Sequence, residues 1–157
     1  MVRSCGILLY RTEPDSSVSV WIAHMGGPFW ANKDAGAWSV PKGEPVPGEG
    51  DLAAAFREFA EEIGTPPPDA EYTHLGDFRQ SSGKVVTVFA AQTDFTIETV
   101  TSNSFELEWP PRSGRMERFP EIDDARWFSL VEARGKVVKG QLPMLDALEA
   151  QRDRTQG

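Results

Sequence analysis

The chain has 157 residues, of which 39% are hydrophobic and 25% charged, as is typical of one soluble globular domain. Its single cysteine, Cys5, excludes a disulfide framework and is interpreted as a small buried hydrophobic residue. The formal net charge of −8 argues against the basic face that grips DNA or long RNA. Because no apolar run reaches membrane-spanning length and no signal peptide is recognised, we expect a cytoplasmic protein without membrane contact.

The first elements predicted along the chain are two strands and a loop. Residues 4–11 and 18–25 are rich in β-forming residues, and the turn EPDSS separates them. Residues 26–38 are rich in glycine and carry several aromatic side chains, which predicts a loop. The sequence WSVPKG that follows predicts a short extended piece ending in a turn.

Residues 51–63 predict a helix, because their apolar residues recur at spacings of four, three and four positions. Those residues are Leu52, Phe56, Phe59 and Ile63. Asp51 is placed to cap the first turn. Gly64 suits the left-handed conformation that ends a helix, and the prolines after it prevent continuation.

The second half of the chain predicts a hairpin over residues 71–80 and 84–93, around the turn SSG. Residues 94–120 mix aromatic, acidic and turn residues and predict a long loop with short extended pieces, of the kind that often carries function. The remaining elements are a strand over 125–130, helices over 131–137 and 141–151, and a frayed tail over 152–157. Since strands and helices mix without regular βαβ alternation, we expect one α+β domain with helices packed on a mixed sheet.

Three carboxylates, those of Glu58, Glu61 and Glu62, crowd the C-terminal half of the predicted helix, within an arc of about 100° away from the apolar stripe. They form like-charge pairs at i,i+3 and i,i+4, near the helix end where the dipole disfavours anions. A solvated acidic face is the ordinary interpretation, but Arg57 is the only local cation, so several local rules are broken together. Carboxylates gathered on one rigid element suit a hard cation such as Mg²⁺ or Mn²⁺.

The segment around these glutamates resembles the Nudix box, in which two glycines, an arginine and four glutamates stand at fixed spacing. The matching residues are Gly43, Glu49, Arg57, Glu58, Glu61, Glu62 and Gly64. One position departs from the pattern, because Thr65 stands where the family usually has an aliphatic residue, and that is a packing position. Seven residues at fixed spacing are a specific signal, although the box covers only residues 43–65.

The resemblance implies a Nudix hydrolase, an enzyme with an α/β/α sandwich around a mixed sheet that hydrolyses a diphosphate linkage in a nucleotide substrate. By matching positions, the metal-binding groups are Glu58, Glu61, Glu62 and the backbone carbonyl of Gly43. Arg57 resembles the arginine that holds the box glutamates in place, with Glu49 as its partner. One of the box glutamates is alternatively the base that activates water. The implied cofactor is Mg²⁺, for which Mn²⁺ can substitute, because such ions clamp a diphosphate and acidify bound water.

Two further segments resemble the dinucleoside polyphosphate branch of the family. The lead-in WSVPKGE places Lys42 where it would face a substrate phosphate, whereas a solvated turn lysine is the plainer interpretation. In PEIDDARW, Glu121 precedes Trp127 by six residues, as a glutamate does in that branch. Glu121 is therefore a candidate for an additional metal ligand or for the general base, with an ordinary exposed loop acid as the alternative.

Several aromatic residues in loop-like stretches are candidates to stack on a nucleobase, although most could instead cover the edges of the sheet. They are Phe29, Trp30, Trp38, Phe105 and Trp109. Lys84 and Arg79 flank the SSG turn and are candidates to reach phosphate. His24 and His74 are interpreted as structural, and Cys5 is not expected to act as a nucleophile.

We expect the substrate to be a small nucleotide polyphosphate, either a dinucleoside polyphosphate such as diadenosine tetraphosphate or a nucleoside triphosphate. The alternative enzymes are a nucleotide-sugar or capped-RNA pyrophosphohydrolase. A different class is a non-catalytic, nucleotide-sensing Nudix-like domain, but such domains tend to have lost box glutamates, which this chain keeps. The sequence leaves both a monomer and a homodimer open.

Overall fold

A mixed β-sheet lies between helices on both of its faces, and this arrangement confirms the predicted α/β/α sandwich. The computed structural model describes residues 2–80 and 82–156. The strands are β1 (Arg3–Thr12), β2 (Val18–Met25), β3 (Trp38–Ser39), β4 (Lys42–Gly43), β5 (Thr73–Arg79), β6 (Val85–Gln92), β7 (Ser104–Glu108), β8 (Met116–Pro120) and β9 (Ile122–Ser129). The helices are α1 (Asp51–Ile63), α2 (Leu130–Lys136) and α3 (Leu142–Gln156), with a 3-10 turn over Lys139–Gln141.

Strand β1 is the centre of the main sheet, whose order is β3-β2-β1-β6-β5, with β4 paired to β1 and β9 paired to β2. It runs antiparallel to β2 and parallel to β6, which makes the sheet mixed. The short strand β4 pairs Gly43 with Cys5 and Lys42 with Gly6. The start of the Nudix-like box is therefore fixed to the central strand.

The sheet separates two apolar cores, because successive side chains of a strand point to opposite faces. On β1, Ile7 and Leu9 pack with residues of α1, whereas Leu8 packs with residues of α2 and α3, and all three are fully buried. Helix α1 is thus held against one face of the sheet, and this core fixes the helix that carries the acidic cluster.

Helix α1 has the bounds predicted from the sequence, Asp51–Ile63. It ends at Gly64, whose φ of 87° is the left-handed conformation expected there and whose N–H donates to the Ala60 carbonyl. The predicted cap at the other end is wrong: the N-cap is Gly50, and Asp51 instead forms an ion pair with Arg3 of β1. A partner from the central strand has therefore replaced the local hydrogen bond.

The buried face of α1 also differs from the predicted apolar stripe. Leu52 is 36% exposed, whereas Ala55, Phe59 and Glu62, at positions i, i+4 and i+7, are all buried. The prediction that the three glutamates lie apart from the buried face is therefore wrong for Glu62.

The segment predicted as a long loop contains a hairpin formed by β7 and β8, a two-stranded sheet of its own. Phe105 lies opposite Phe119, and their ring centroids are 6.1 Å apart. Cross-strand aromatic pairs of this kind stabilise a hairpin whose other face is polar. Half-buried and exposed residues alternate along β7, but the acidic residues and the prolines of the segment make this strand pattern weak in the sequence.

The C-terminal elements follow the predicted order with shifted bounds. Strand β9 begins at Ile122, earlier than predicted, because Ile122 and Asp124 are paired with β2. Ser129 and Glu132 form a capping box at the start of α2. Helix α3 runs to Gln156, beyond its predicted end, while Gly157 of the predicted tail and Ser81 of the predicted SSG turn lie outside the described residues.

Within the part of the chain that the structure describes, no helix is both long and apolar enough to span a membrane.

Candidate active site

Strand β4 passes directly beneath the acidic half of α1. A Cβ atom built on Gly43 would lie 1.9 Å from Oε2 of Glu58, so only a glycine allows this approach. The Glu58 carboxylate thus lies against the backbone of β4, and its side chain is only 15% exposed. The structure therefore brings together the first and the central residues of the box.

Arg57 connects the box carboxylates. Its Nε and Nη2 donate to the two carboxylate oxygens of Glu49 at 2.9 and 3.0 Å, in the paired geometry that arginine favours. Its Nη1 donates to Glu58 at 2.9 Å and to Glu61 at 3.2 Å, and its Nη2 also donates to the Glu44 carbonyl. The Arg57 guanidinium therefore relieves much of the like-charge repulsion between the carboxylates of Glu58 and Glu61.

Glu62 is the most buried of the three glutamates, with 9% of its surface exposed. Its Oε2 accepts a hydrogen bond of 3.2 Å from the backbone N–H of Lys42. Burial raises the pKa of Glu62 to about 8, and the positive charge of Lys42 opposes that shift. Burial likewise raises the pKa of Glu58, against the opposing effect of Arg57. The site therefore disfavours the ionised forms of two carboxylates unless a positive charge offsets the cost.

The pKa of Glu62 predicts a pH dependence of stability in the metal-free protein. Between about pH 4.5 and about pH 8 the unfolded chain ionises Glu62 while the folded chain keeps it protonated. The folded state then binds more protons, so raising the pH through this window lowers the free energy of unfolding. In urea titrations with a chelator, Glu62→Gln should therefore match wild type near pH 4.5 and exceed it in stability near pH 8. If the difference in the free energy of unfolding between Glu62→Gln and wild type were the same at both pH values, the raised pKa of Glu62 would be contradicted.

Lys42, Lys84 and Glu121 belong to the same electrostatic environment as the box glutamates. Burial is the largest cause of a lowered pKa at Lys42, followed by the positive charge of Lys84. The charge of Glu121 raises the pKa of both Glu58 and Glu62. Three residues predicted from separate parts of the sequence are thus close enough to act on the same carboxylate site, and Arg79 is not among the largest causes of these pKa shifts.

An apolar cleft of about 410 Å³ adjoins this site. Its walls include Phe29 and Trp30 from the loop after β2, Phe105 and Leu107 from β7, and Glu121. The Phe29 and Trp30 rings meet edge to face with centroids 5.0 Å apart. Glu121 lines this cleft and its charge also raises the pKa of Glu58 and Glu62, so this residue links the cleft to the carboxylate site.

A family profile for the NUDIX domain matches residues 2–148. The chain belongs to the Nudix family. This confirms the resemblance seen in the sequence and, with the complete box, supports the class of Nudix pyrophosphohydrolases. A search among curated proteins finds no significant match.

Solved Nudix structures share the fold of the whole chain. An Ap4A hydrolase from C. elegans in a binary complex has 18% identity and a TM-score of 0.66, and the alignment covers 98% of each chain. The NUDIX domain of Shewanella oneidensis NrtR, complexed with ADP ribose, has 15% identity and a TM-score of 0.65, with 96% of this chain and 88% of that chain covered. The M. smegmatis Nudix hydrolase RenU has 18% identity and a TM-score of 0.63, with 98% and 86% covered.

Lysine in place of Arg57 should keep the charge of the Nudix box but lose the paired hydrogen bonds to Glu49. Since residues that orient metal-binding groups typically contribute 10–100-fold to affinity or activity, we expect kcat/KM to fall by about that factor. The matched control is Arg134→Lys, because Arg134 also joins two carboxylates, those of Asp146 and Glu149. Steady-state kinetics of both variants test this, and equal activity of Arg57→Lys and wild type would contradict a positioning role.

Trp38 and Trp109 were candidates to stack on a nucleobase, but neither lines the aromatic cleft. Trp38 is 5% exposed and belongs to the core beside α2, so a base cannot reach its ring, and that interpretation is wrong. Its ring meets those of Phe128 and His24 edge to face, and its Nε1 donates to Asp34. Trp109 follows β7 and is not among the residues that line the aromatic cleft.

Of the residues not expected to act in catalysis, His24 and Cys5 are buried and His74 is exposed. His24 is buried and hydrogen-bonded at both ring nitrogens, while His74 is exposed and pairs with Asp77 at 3.1 Å. Cys5 is fully buried, and burial raises its pKa to about 11, which leaves the thiol protonated. Leu107 also lines the aromatic cleft, and no local sequence signal marks it, because its place there depends on the pairing of β7 with β8.

The donor set of the Nudix site fits a hard divalent cation. Glu58, Glu61 and Glu62 supply carboxylate oxygens on one helix, and Gly43 lets Glu58 approach the β4 backbone. Within residues 2–80 and 82–156, no three His, Cys, Asp or Glu side chains are already arranged as a metal-binding group. Glu58 and Glu61 are instead bonded to Arg57, and Glu62 to the Lys42 N–H.

Proposed function

We propose that the protein hydrolyses a diphosphate linkage in a nucleotide polyphosphate with the help of Mg²⁺ or Mn²⁺. The observation that carries the proposal is the packing of Glu58 against Gly43, beside Glu62, in a complete Nudix box. Two of these carboxylates have raised pKa values because of burial, so a cation would offset a cost that is already present in the fold.

The proposed metal-binding residues are Glu58, Glu61 and Glu62, with the Gly43 carbonyl as a further oxygen donor. A bound divalent cation would neutralise charge on the diphosphate oxygens and lower the pKa of a bound water. Arg57 holds Glu58 and Glu61 in place from the exposed side of the helix. This leaves positioning and charge neutralisation as the main tasks of the protein, as in other phosphoryl-transfer sites.

Lys42 and Glu121 complete the proposed site. The ammonium group of Lys42 would face a phosphate group, and Lys84 lies near enough to lower the pKa of Lys42. Glu121 lies where its charge acts on both Glu58 and Glu62, which supports a role as a further ligand or as the base for water.

The proposed substrate is a dinucleoside polyphosphate such as diadenosine tetraphosphate, or a nucleoside triphosphate. The aromatic cleft beside Glu121 supports a base-bearing substrate, because a base can stack on Phe29, Trp30 or Phe105. The fold shared with the C. elegans Ap4A hydrolase over nearly the full length of both chains also supports it. A nucleoside diphosphate joined to a sugar is the second candidate, since the NrtR NUDIX domain is complexed with ADP ribose.

A panel of nucleotides assayed with Mg²⁺, with Mn²⁺ and with chelator tests the proposal. We expect cleavage only with metal, and reaction in heavy-oxygen water followed by mass spectrometry identifies the phosphorus that is attacked. The Glu61→Gln variant serves as the impaired comparison. Tight nucleotide binding without cleavage of any panel member by wild type would instead support a non-catalytic sensing domain.

Removing an aromatic wall of the cleft should weaken substrate binding. For Phe29→Leu we expect KM to rise about tenfold with little change in kcat, because stacking on a base contributes roughly 1–3 kcal/mol. Trp109→Leu provides the comparison, since Trp109 does not line the cleft. Steady-state kinetics of both variants on the best panel substrate give the two KM values. An equal rise in KM for Trp109→Leu would support stacking of the base on Trp109, as the sequence predicts.

A further inference from the structure

His24 is hydrogen-bonded to two segments that each contribute lining residues to the aromatic cleft. It lies near the end of β2 and is 7% exposed. Its Nδ1 lies 2.7 Å from Oδ1 of Asp123, and its Nε2 lies 2.7 Å from the carbonyl oxygen of Lys33. Both partners offer oxygen atoms that can accept a hydrogen bond from the ring. The Trp38 ring packs edge to face against it, at 5.0 Å between centroids, and fixes its plane.

The contact with Lys33 holds the loop that carries Phe29 and Trp30. The Lys33 N–H donates to the Trp30 carbonyl at 2.9 Å, so the backbone of this part of the loop is a chain of turns. The Lys33 ammonium lies 3.6 Å from the centroid of the Phe29 ring, a cation–π contact. Since Phe29 is 63% exposed, its contacts with the Lys33 ammonium and the Trp30 ring are what hold it in place.

The contact with Asp123 holds the segment that carries Glu121. In the pairing of β2 with β9, His24 lies opposite Asp124 whereas Met25 lies opposite Ile122, so Asp123 is an extra residue in a bulge. A bulge redirects a side chain and bends the strand. The Gly26 N–H then donates to the Glu121 carbonyl at 2.8 Å, immediately beyond the bulge. The His24–Asp123 bond therefore ties the bulge to β2 two residues from Glu121.

We propose that His24 is a positioning residue that fixes the aromatic wall of Phe29 and Trp30 relative to Glu121. It determines the width of the cleft and so the preference of the enzyme for substrates that carry a base. This inference rests on the proposed function for its catalytic consequence, while the mechanical connection stands on the two hydrogen bonds alone. A histidine that only fills space in the core would not couple the two walls.

The test uses His24→Phe, which keeps the ring volume and removes both hydrogen bonds, and Asp123→Ala, which removes one of them. Asp123→Asn is the conservative variant, because its amide oxygen can still accept from the ring. His74→Gln is the matched control, since His74 is an exposed histidine that also pairs with an aspartate. Hydrogen–deuterium exchange of the substrate-free proteins reports the two segments, 26–37 and 119–123.

We expect faster exchange in both segments for His24→Phe and Asp123→Ala, with Asp123→Asn and His74→Gln like wild type. On the best panel nucleotide, KM should rise about tenfold for His24→Phe and about threefold for Asp123→Ala. Because Glu121 lies in the loosened segment, kcat should also fall in these two variants and not in the Asp123→Asn and His74→Gln variants. Inhibition by inorganic pyrophosphate, which has no base, should stay the same.

Unchanged exchange in the variants that fold would overturn the inference, as would equal losses of affinity for the nucleotide and for pyrophosphate. If His24→Phe does not fold, Asp123→Ala and its asparagine counterpart decide the outcome. If exchange rises as expected but wild type cleaves no nucleotide, the proposed function fails and the positioning role of His24 stands.

Discussion

Glutamine in place of Glu58 or Glu62 should lower kcat by about 10³-fold, since metal-ion stabilisation of a transition state is worth several kcal/mol and each 1.36 kcal/mol is tenfold. The same variants should keep or gain thermal stability in metal-free buffer. Burial disfavours the charge of both carboxylates, and glutamine removes that charge while its amide oxygen can still accept from Lys42 or Arg57. In both variants kcat should therefore fall while the melting temperature stays the same or rises.

Three measurements on the same preparations test this expectation: kcat with Mg²⁺, calorimetric titration with Mn²⁺, and thermal unfolding in chelator. Glu71→Gln is the control, because Glu71 is an exposed acid outside the site. Wild-type kcat in either variant would show that the box glutamates do not hold the catalytic metal. A large fall in melting temperature would show that they serve the fold instead.

The parts of the molecule that depend on local spacing were predictable from the sequence. Helix α1 has its predicted bounds, because the apolar repeat, Gly64 and the following prolines are all local signals. The partnership of Arg57 and Glu49 is implied by the resemblance to the Nudix box, and the structure forms it with two hydrogen bonds. Strand β2 likewise has its predicted bounds, Val18–Met25, because its β-forming residues are bounded by clear turns.

The parts that depend on distant partners were not predictable. Glu62 is buried because the Lys42 backbone lies beside it, 20 positions earlier in the chain. Trp38 stands where the predicted loop meets the predicted extended piece, and in the structure it begins β3, pairs with His24 and packs with residues of α2, so its ring fills the core. The cleft wall formed by Phe105 exists only because β7 pairs with β8 and packs on the turn at Gly27. Such pairings depend on the sheet as a whole, whereas propensity and spacing describe single segments.

Alanine in place of Gly43 should inactivate the enzyme through Glu58. The added Cβ would lie 1.9 Å from Oε2 and 2.0 Å from Cδ of that side chain, so one of the two must move. Strand β4 is paired to the central strand at Gly43 and Cys5, whereas Glu58 is a flexible side chain, so the carboxylate yields. We expect kcat to fall about as far as in Glu58→Gln, while the fold remains. Gly50→Ala is the control, because a Cβ there meets nothing within 4 Å and φ is −71°.

A double-mutant cycle separates this steric effect from a general disturbance of β4. If Gly43→Ala acts by displacing Glu58, then Gly43→Ala combined with Glu58→Gln should be no slower than the slower of the two single variants, because both changes remove the same interaction. Multiplying losses in kcat would mean that the alanine damages something else, such as the Gly43 carbonyl as a metal ligand. The cycle therefore distinguishes the two contributions that Gly43 can make, namely room for a carboxylate and an oxygen donor of its own.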